Sequence, residues 1–146
     1  FTKTEMFVFC RPEDSEAQHA DLLRIERRLF DALEIPYRVI EVASGDLGAP
    51  AYRKYDLEAW MPGRGESGEF GEITSTSNCT DFQARRLRIR FRRKDGRKNE
   101  SVHTLNGTAI SNARAIIALL ETHQRADGSI GVPALLQPYM GRQSIG

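Results

Sequence analysis

Between Lys54 and Met61 the chain alternates strictly, with Tyr55, Leu57, Ala59 and Met61 on one side and Lys54, Asp56, Glu58 and Trp60 on the other. A period of two is the signature of a strand, here one with a polar face. Residues 4–10 are apolar and aromatic and read as a buried strand, Tyr37–Val42 is β-rich, and Glu72–Ser77 is a further candidate. Leu87, Ile89 and Phe91 alternate with Arg86, Arg88, Arg90 and Arg92; Asp95-Gly96 is a two-residue hairpin signal, and Glu100–Leu105 reads as the returning strand. Strands joined by a hairpin pair antiparallel, because parallel neighbours need long crossovers.

Two helices complete the pattern. Ser15 with Gln18 fits a capping box, and Leu22, Ile25, Leu29 and Leu33 recur at helical spacing, so a helix is expected over 15–34, with Pro36 past its end. The second helix is expected over 111–124, fed by an Asn106-Gly107-Thr108 loop. Pro62–Gly71, with four glycines, reads as a loop, Asp81–Arg86 as a turn or short helix, and Val132–Tyr139 as an irregular tail. Strand, helix, several strands, helix predicts an α+β fold: an antiparallel β-sheet flanked by helices, with a length sufficient for one core.

Bulk properties exclude little. A formal net charge of +1 does not by itself predict nucleic acid or an acidic membrane as partner. Cys10 and Cys79 do not form a disulfide framework and suit a reducing compartment. No apolar run approaches the roughly 20 residues of a membrane span, and no targeting segment is visible. The chain starts at Phe1, without an initiator Met and inside a predicted strand, so it is expected to be a piece of a longer protein.

Arg114 is the residue that calls for an explanation. It falls in the first turn of an otherwise apolar helix, where the helix dipole is already positive. An anion held jointly by dipole and guanidinium is one answer; an ion pair with a nearby carboxylate, or a side chain at the edge of the apolar stripe reaching solvent, is the other. Glu72 and Ser75 offer a carboxylate and a hydroxyl that suit Mg²⁺ when phosphates complete its shell, although the spacing alone is a weak signal and a polar strand end is the favoured explanation. The arginines of 86–98 read as a solvated hairpin face, with RNA contact as the lesser option. Asp56 and Glu58 share a strand face and either do carboxylate chemistry or pair Lys54 and an arginine. His19, His103 and His123 are scattered without metal-ligand spacing, and no nucleophile elbow or Walker loop is present.

Several stretches taken in order carry a resemblance: Phe1-Thr2-Lys3-Thr4-Glu5, Gly45-Asp46-Leu47-Gly48, Tyr55-Asp56-Leu57-Glu58-Ala59-Trp60-Met61-Pro62, Glu72-Ile73-Thr74-Ser75-Thr76-Ser77-Asn78-Cys79, Asp81-Phe82-Gln83-Ala84-Arg85-Arg86, and Leu105-Asn106-Gly107-Thr108-Ala109 through Arg114 to Glu121. Together with Asp127-Gly128-Ser129 and Pro138-Tyr139 they resemble the catalytic domain of the seryl-tRNA synthetases, a class II aminoacyl-tRNA synthetase family, from the end of its second class motif through its third. The resemblance implies that residues 1–146 are a partial catalytic domain, lacking the N-terminal tRNA-binding arm, the first motif and the first half of the second.

It also implies roles. Phe1 matches the aromatic that stacks on ATP's adenine. Glu5 matches a carboxylate suited to the serine ammonium, and Asn106 and Thr108 match the serine-binding segment. Glu72 and Ser75 match the holders of Mg²⁺ on the ATP phosphates, and Arg114 matches the arginine on the γ-phosphate. The expected activity of the parent protein is ATP-dependent activation of serine and its transfer to tRNA(Ser), in a cytoplasmic or mitochondrial-matrix homodimer with no membrane partner; the fragment alone is expected to be inactive. The alternative is a non-catalytic synthetase-like protein that binds RNA or a protein partner.

Overall fold

The computed structural model describes residues 1–94, 96 and 98–146. Its centre is a five-stranded sheet in the order β1 (Lys3–Cys10), β7 (His103–Ser111), β4 (Glu69–Asn78), β3 (Arg53–Met61) and β2 (Tyr37–Glu41), with every neighbour antiparallel. Both long helices, α1 (Ser15–Ala32) and α3 (Asn112–His123), cover one side of it. Phe30, Leu33 and Ile35 from α1 and its exit meet Leu57, Ala59, Met61 and Ile73 of the sheet and Ala118 of α3 in a single cluster. Leu57 is fully buried there; truncating such a leucine to alanine removes about 2–5 kcal/mol, the transfer loss plus the cavity left behind. The other side of the sheet carries the polar residues. The α+β expectation and the alternation of 54–61 match this arrangement.

Two bulges decide which residues face the open side. On β4, Leu57 pairs with Thr74 but Glu58 pairs with Glu72, so Ile73 is the extra residue. Asn78, Thr76 and Thr74 are buried; past the bulge the buried positions become Ile73 and Gly71. Glu72 and Ser75, three apart, would point to opposite faces of a regular strand, and the bulge brings them to one. On β7, Glu5 pairs with Thr108 but Thr4 pairs with Ile110, leaving Ala109 extra. Ile110 therefore turns to the core, and Ser111 joins Thr108 on the open side.

Several local expectations are corrected. The Asn106-Gly107-Thr108 segment is not a loop but the middle of β7, which runs directly into α3. Glu100–Leu105 is not one strand: Asn99–Ser101 forms β6, paired with β5 (Arg90–Arg92), while His103 onward joins the main sheet. Leu87 ends the short helix α2 (Phe82–Leu87), and Arg88 takes a left-handed conformation at φ 58°, which stops the strand alternation from starting there. Asp95 and Arg97 lie outside the described residues. No side chain caps α1 at Ser15; the Ser15 hydroxyl donates to the Pro12 carbonyl instead. The buried stripe of α1 is Ser15, His19, Leu22, Glu26 and Phe30, with Ile25 exposed. The helix lies over Thr76 and Gly107 as well as the apolar core, so its contact face holds polar residues that a purely apolar pattern skips. The tail is more ordered than its sequence suggests, with the strand pair β8 (Ile130–Gly131) and β9 (Ser144–Ile145) and the helical turn α4 (Gln137–Met140). Among the described residues no helix is long and apolar enough to cross a membrane.

Candidate functional site

Phe1, Glu72, Ser75, Thr108 and Arg114 line one cavity of about 190 Å³ on the open side, together with Lys3 and Ser111. Arg114 leaves the first turn of α3 and places Nη1 2.9 Å from Oε1 of Glu72. The internal ion pair, one of the two explanations open for this residue, is therefore present. Both partners are more than a third exposed, so the arginine is neither buried nor sealed off. It stands at the cavity wall with donors left for another acceptor, since a guanidinium has five N–H groups.

Glu5 forms the second half of the site. Its Oε1 accepts from Asn106 Nδ2 at 3.1 Å and its Oε2 from the Thr108 hydroxyl at 2.8 Å, while Lys3 Nζ lies 3.2 Å away. Burial pushes the Glu5 carboxyl up, but the bonds from Asn106 and Thr108 and the charge of Lys3 outweigh it and hold it below the usual carboxylate value. It is thus a fixed anion at neutral pH. Asn106 also lines an adjacent cavity, with Lys54, Ser77, Cys79 and Gln83. Thr108 belongs to the first cavity and Asn106 to the second, so their shared grip on Glu5 joins the two.

The remaining candidates settle into structural roles. Lys54 pairs with Asp56 at 2.9 Å and Arg38 with Glu58 at 2.7 Å, which favours the pairing explanation for the two carboxylates. Arg93 bridges Glu13 and Glu100, Arg92 donates to Asn99, and Arg86 lies over the Phe82 ring. His19 contacts the Thr76 carbonyl at 3.1 Å, and burial holds its pKa below the usual value. Four wall residues, Lys3, Ile73, Thr74 and Ser111, were not singled out from the sequence. Lys3 was findable, because it lies two residues from Glu5 on one strand and therefore shares its face. Ser111 was not, because its facing depends on the Ala109 bulge.

Residues that could hold a metal are few. Among the described residues there is no cluster of three or more metal-ligating side chains. One carboxylate and one hydroxyl, Glu72 and Ser75, share the cavity. That donor set fits Mg²⁺ only in company with phosphate oxygens and waters, which is how Mg²⁺ is usually held.

Comparison with known proteins gives one family. The model described as tRNA synthetase class II core domain (G, H, P, S and T) matches residues 1–123. A serine–tRNA ligase of Rhodopirellula baltica is 63% identical over 141 residues, covering 97% of this chain and 33% of the relative. One from Treponema denticola is 61% identical over 146 residues, covering 100% and 34%. The crystal structure of seryl-tRNA synthetase from Pyrococcus horikoshii complexed with ATP superposes with a TM-score of 0.93 at 52% identity, over 98% of this chain and 31% of that one. The cytoplasmic serine–tRNA ligase of Naegleria fowleri in complex with AMP follows at 0.89 and 39%. The chain spans about a third of the length of the curated relatives it matches. With the model matched over most of its length and the same sheet in those structures, the chain belongs to the class II tRNA synthetase core family.

Proposed function

We propose that the parent protein is a serine–tRNA ligase and that this chain supplies most of the wall of its ATP and serine sites. The observation that carries the reading is the Glu5–Asn106–Thr108 cluster beside the Glu72–Arg114 pair: an anion held by two hydrogen-bonding side chains, next to a cation with donors to spare. The printed names of the relatives and of the ATP-bound structure support it.

In this reading the serine carboxylate attacks the α-phosphate of ATP, forming a P–O bond as the bond to pyrophosphate breaks. The 3′-terminal ribose hydroxyl of tRNA(Ser) then takes the seryl group and AMP leaves. Glu5 receives the serine ammonium, and Asn106 and Thr108 orient the amino acid. A site built to bond a hydroxyl rejects analogues that lack it strongly. Phe1 stacks on the adenine and Arg114 contacts the γ-phosphate. Glu72 and Ser75 would hold Mg²⁺, which when bound neutralises phosphate charge. The protein's contribution is orientation and charge placement. We place the parent in the cytoplasm or mitochondrial matrix as a homodimer. Serine-dependent exchange of pyrophosphate into ATP by the full-length protein tests the ligase reading; exchange with no amino acid would sink it in favour of a non-catalytic synthetase-like protein.

A further inference from the structure

Beneath the amino-acid side of the site lies a carboxyl group that the chemistry above does not use. Glu26 of α1 is 0% exposed, and neither of its oxygens has a hydrogen-bond partner among the described residues. A buried polar group left without a partner is destabilising, so its position asks for a reason. It lies against Gly107, on the helix side of β7. A methyl group built on Gly107 would come within 2.7 Å of Glu26 Oε1 and 3.0 Å of Thr76 Oγ1. Gly107 stands between Asn106 and Thr108, whose side chains emerge on the opposite face to grip Glu5. Thr76 is tied into the same patch, its carbonyl accepting from His19 Nε2 at 3.1 Å and its hydroxyl donating to the Asn106 carbonyl at 3.0 Å.

We propose that Glu26 is a positioning residue for the amino-acid pocket, acting through Gly107 on the spacing of Asn106 and Thr108 around Glu5. The inference rests on the ligase reading for the identity of the amino acid. The groups that face Glu26 agree with it. Glu5 of β1 and Asp56 of β3 are both acidic, and burial first, then these two charges, push the Glu26 carboxyl up to about 9. Lys3 and Lys54 are engaged by Glu5 and Asp56 themselves. His19, two turns back on the same helix, is held neutral by burial. At neutral pH Glu26 is thus an uncharged acid that tolerates the anionic Glu5 across the strand. Its ionisation at alkaline pH would put a second negative charge behind Gly107 and force helix and strand apart.

The test uses the full-length protein and serine-dependent pyrophosphate exchange, with E26A and E26Q. Truncation in E26A should raise the serine KM about tenfold while the ATP KM stays within about twofold, the mark of a misplaced binding group rather than a lost fold. E26Q, which keeps shape and neutrality, should match the wild type at pH of about 7.5, and the ratio of wild-type to E26Q serine KM should rise above pH of about 9, where only the wild type ionises. Taking this ratio cancels the titration of serine itself. A serine KM unchanged in a folded E26A, or an equal rise in the ATP KM, would overturn the proposal; should E26A fail to fold, a ratio flat with pH does so. Wild-type protein lacking any serine-dependent exchange overturns the ligase reading, and this inference with it.

Discussion

Glu72 and Arg114 meet at 2.9 Å although one sits on a strand and the other in the first turn of the helix that leaves the neighbouring strand. The contact holds the guanidinium against the cavity wall before any substrate arrives. Both side chains keep more than a third of their surface in water, where an ion pair contributes only about 0.2–1 kcal/mol to stability. Its value lies in where it points the arginine.

Arg114→Ala in the full-length protein should therefore leave the melting temperature nearly unchanged, within a few degrees, while lowering kcat/KM for ATP in pyrophosphate exchange by about a hundredfold or more, the scale of losing one positioned charge on a developing anion. A thermal melt beside the kinetic assay separates the two; a large loss of stability with modest kinetic change would return Arg114 to a structural role.

Glu72→Gln keeps the size of the side chain and removes its charge. A Mg²⁺ titration of the exchange reaction should show the half-saturating concentration rising by about tenfold, and Ser75→Ala should shift it in the same direction by less, because a neutral hydroxyl contributes less to a hard cation than a carboxylate. Unchanged Mg²⁺ dependence in both variants would remove the metal from these residues.

Glu5 carries the clearest acid-side prediction. Its carboxyl is held below the usual value of 4.5 in the folded chain, so its anion, and the stabilisation from Asn106, Thr108 and Lys3, persist above 4.5 and disappear as pH falls through the lower folded value. Serine affinity, followed by equilibrium binding, should stay flat down to about pH 5 and drop only beneath it. Thr108→Ala should weaken serine binding by about tenfold, one hydrogen bond to a charged group, and should move that drop to higher pH.

Glu26 has the opposite sign. Its folded value is raised, to about 9 from 4.5. Below 4.5 both folded and unfolded forms hold the proton and the group costs nothing differential. Between 4.5 and 9 the unfolded chain releases it while the folded chain keeps it, so stability falls steadily as pH rises. E26Q removes this titration. The melting temperature of E26Q relative to wild type should accordingly increase with pH across that window by a few degrees or more, then level off; a difference independent of pH would mean that Glu26 is ionised in the fold.

What the sequence made legible follows from how local each signal is. The alternation of Lys54–Met61 and the apolar core faces are written in period two, and both long helices were placed to within two residues. The partnership of Glu5 with Asn106 and Thr108 joins residues about a hundred positions apart; only the resemblance drew them together, since no local pattern encodes which strands become neighbours. Glu26 escaped because a carboxylate in a helix reads as a solvent-facing position, and its burial depends on the small Gly107 opposite. The loop expected at 106–108 failed for a related reason. Asn, Gly and Thr are turn-prone by propensity, but here Asn106 and Gly107 pair with both β1 and β4 and Thr108 with β1, and tertiary pairing overrides propensity.

The bulges at Ile73 and Ala109 behave like punctuation in a two-letter frame. Losing either extra residue would not merely shorten a strand by one step; it would invert the facing of the strand residues beyond it, Gly71 and Glu72 on β4 or Ile110 and Ser111 on β7, while the rest of the strand keeps its register. Length changes within residues 69–75 or 105–111 are then tolerable only in pairs. A single deletion there should abolish the site far more completely than any point substitution within it.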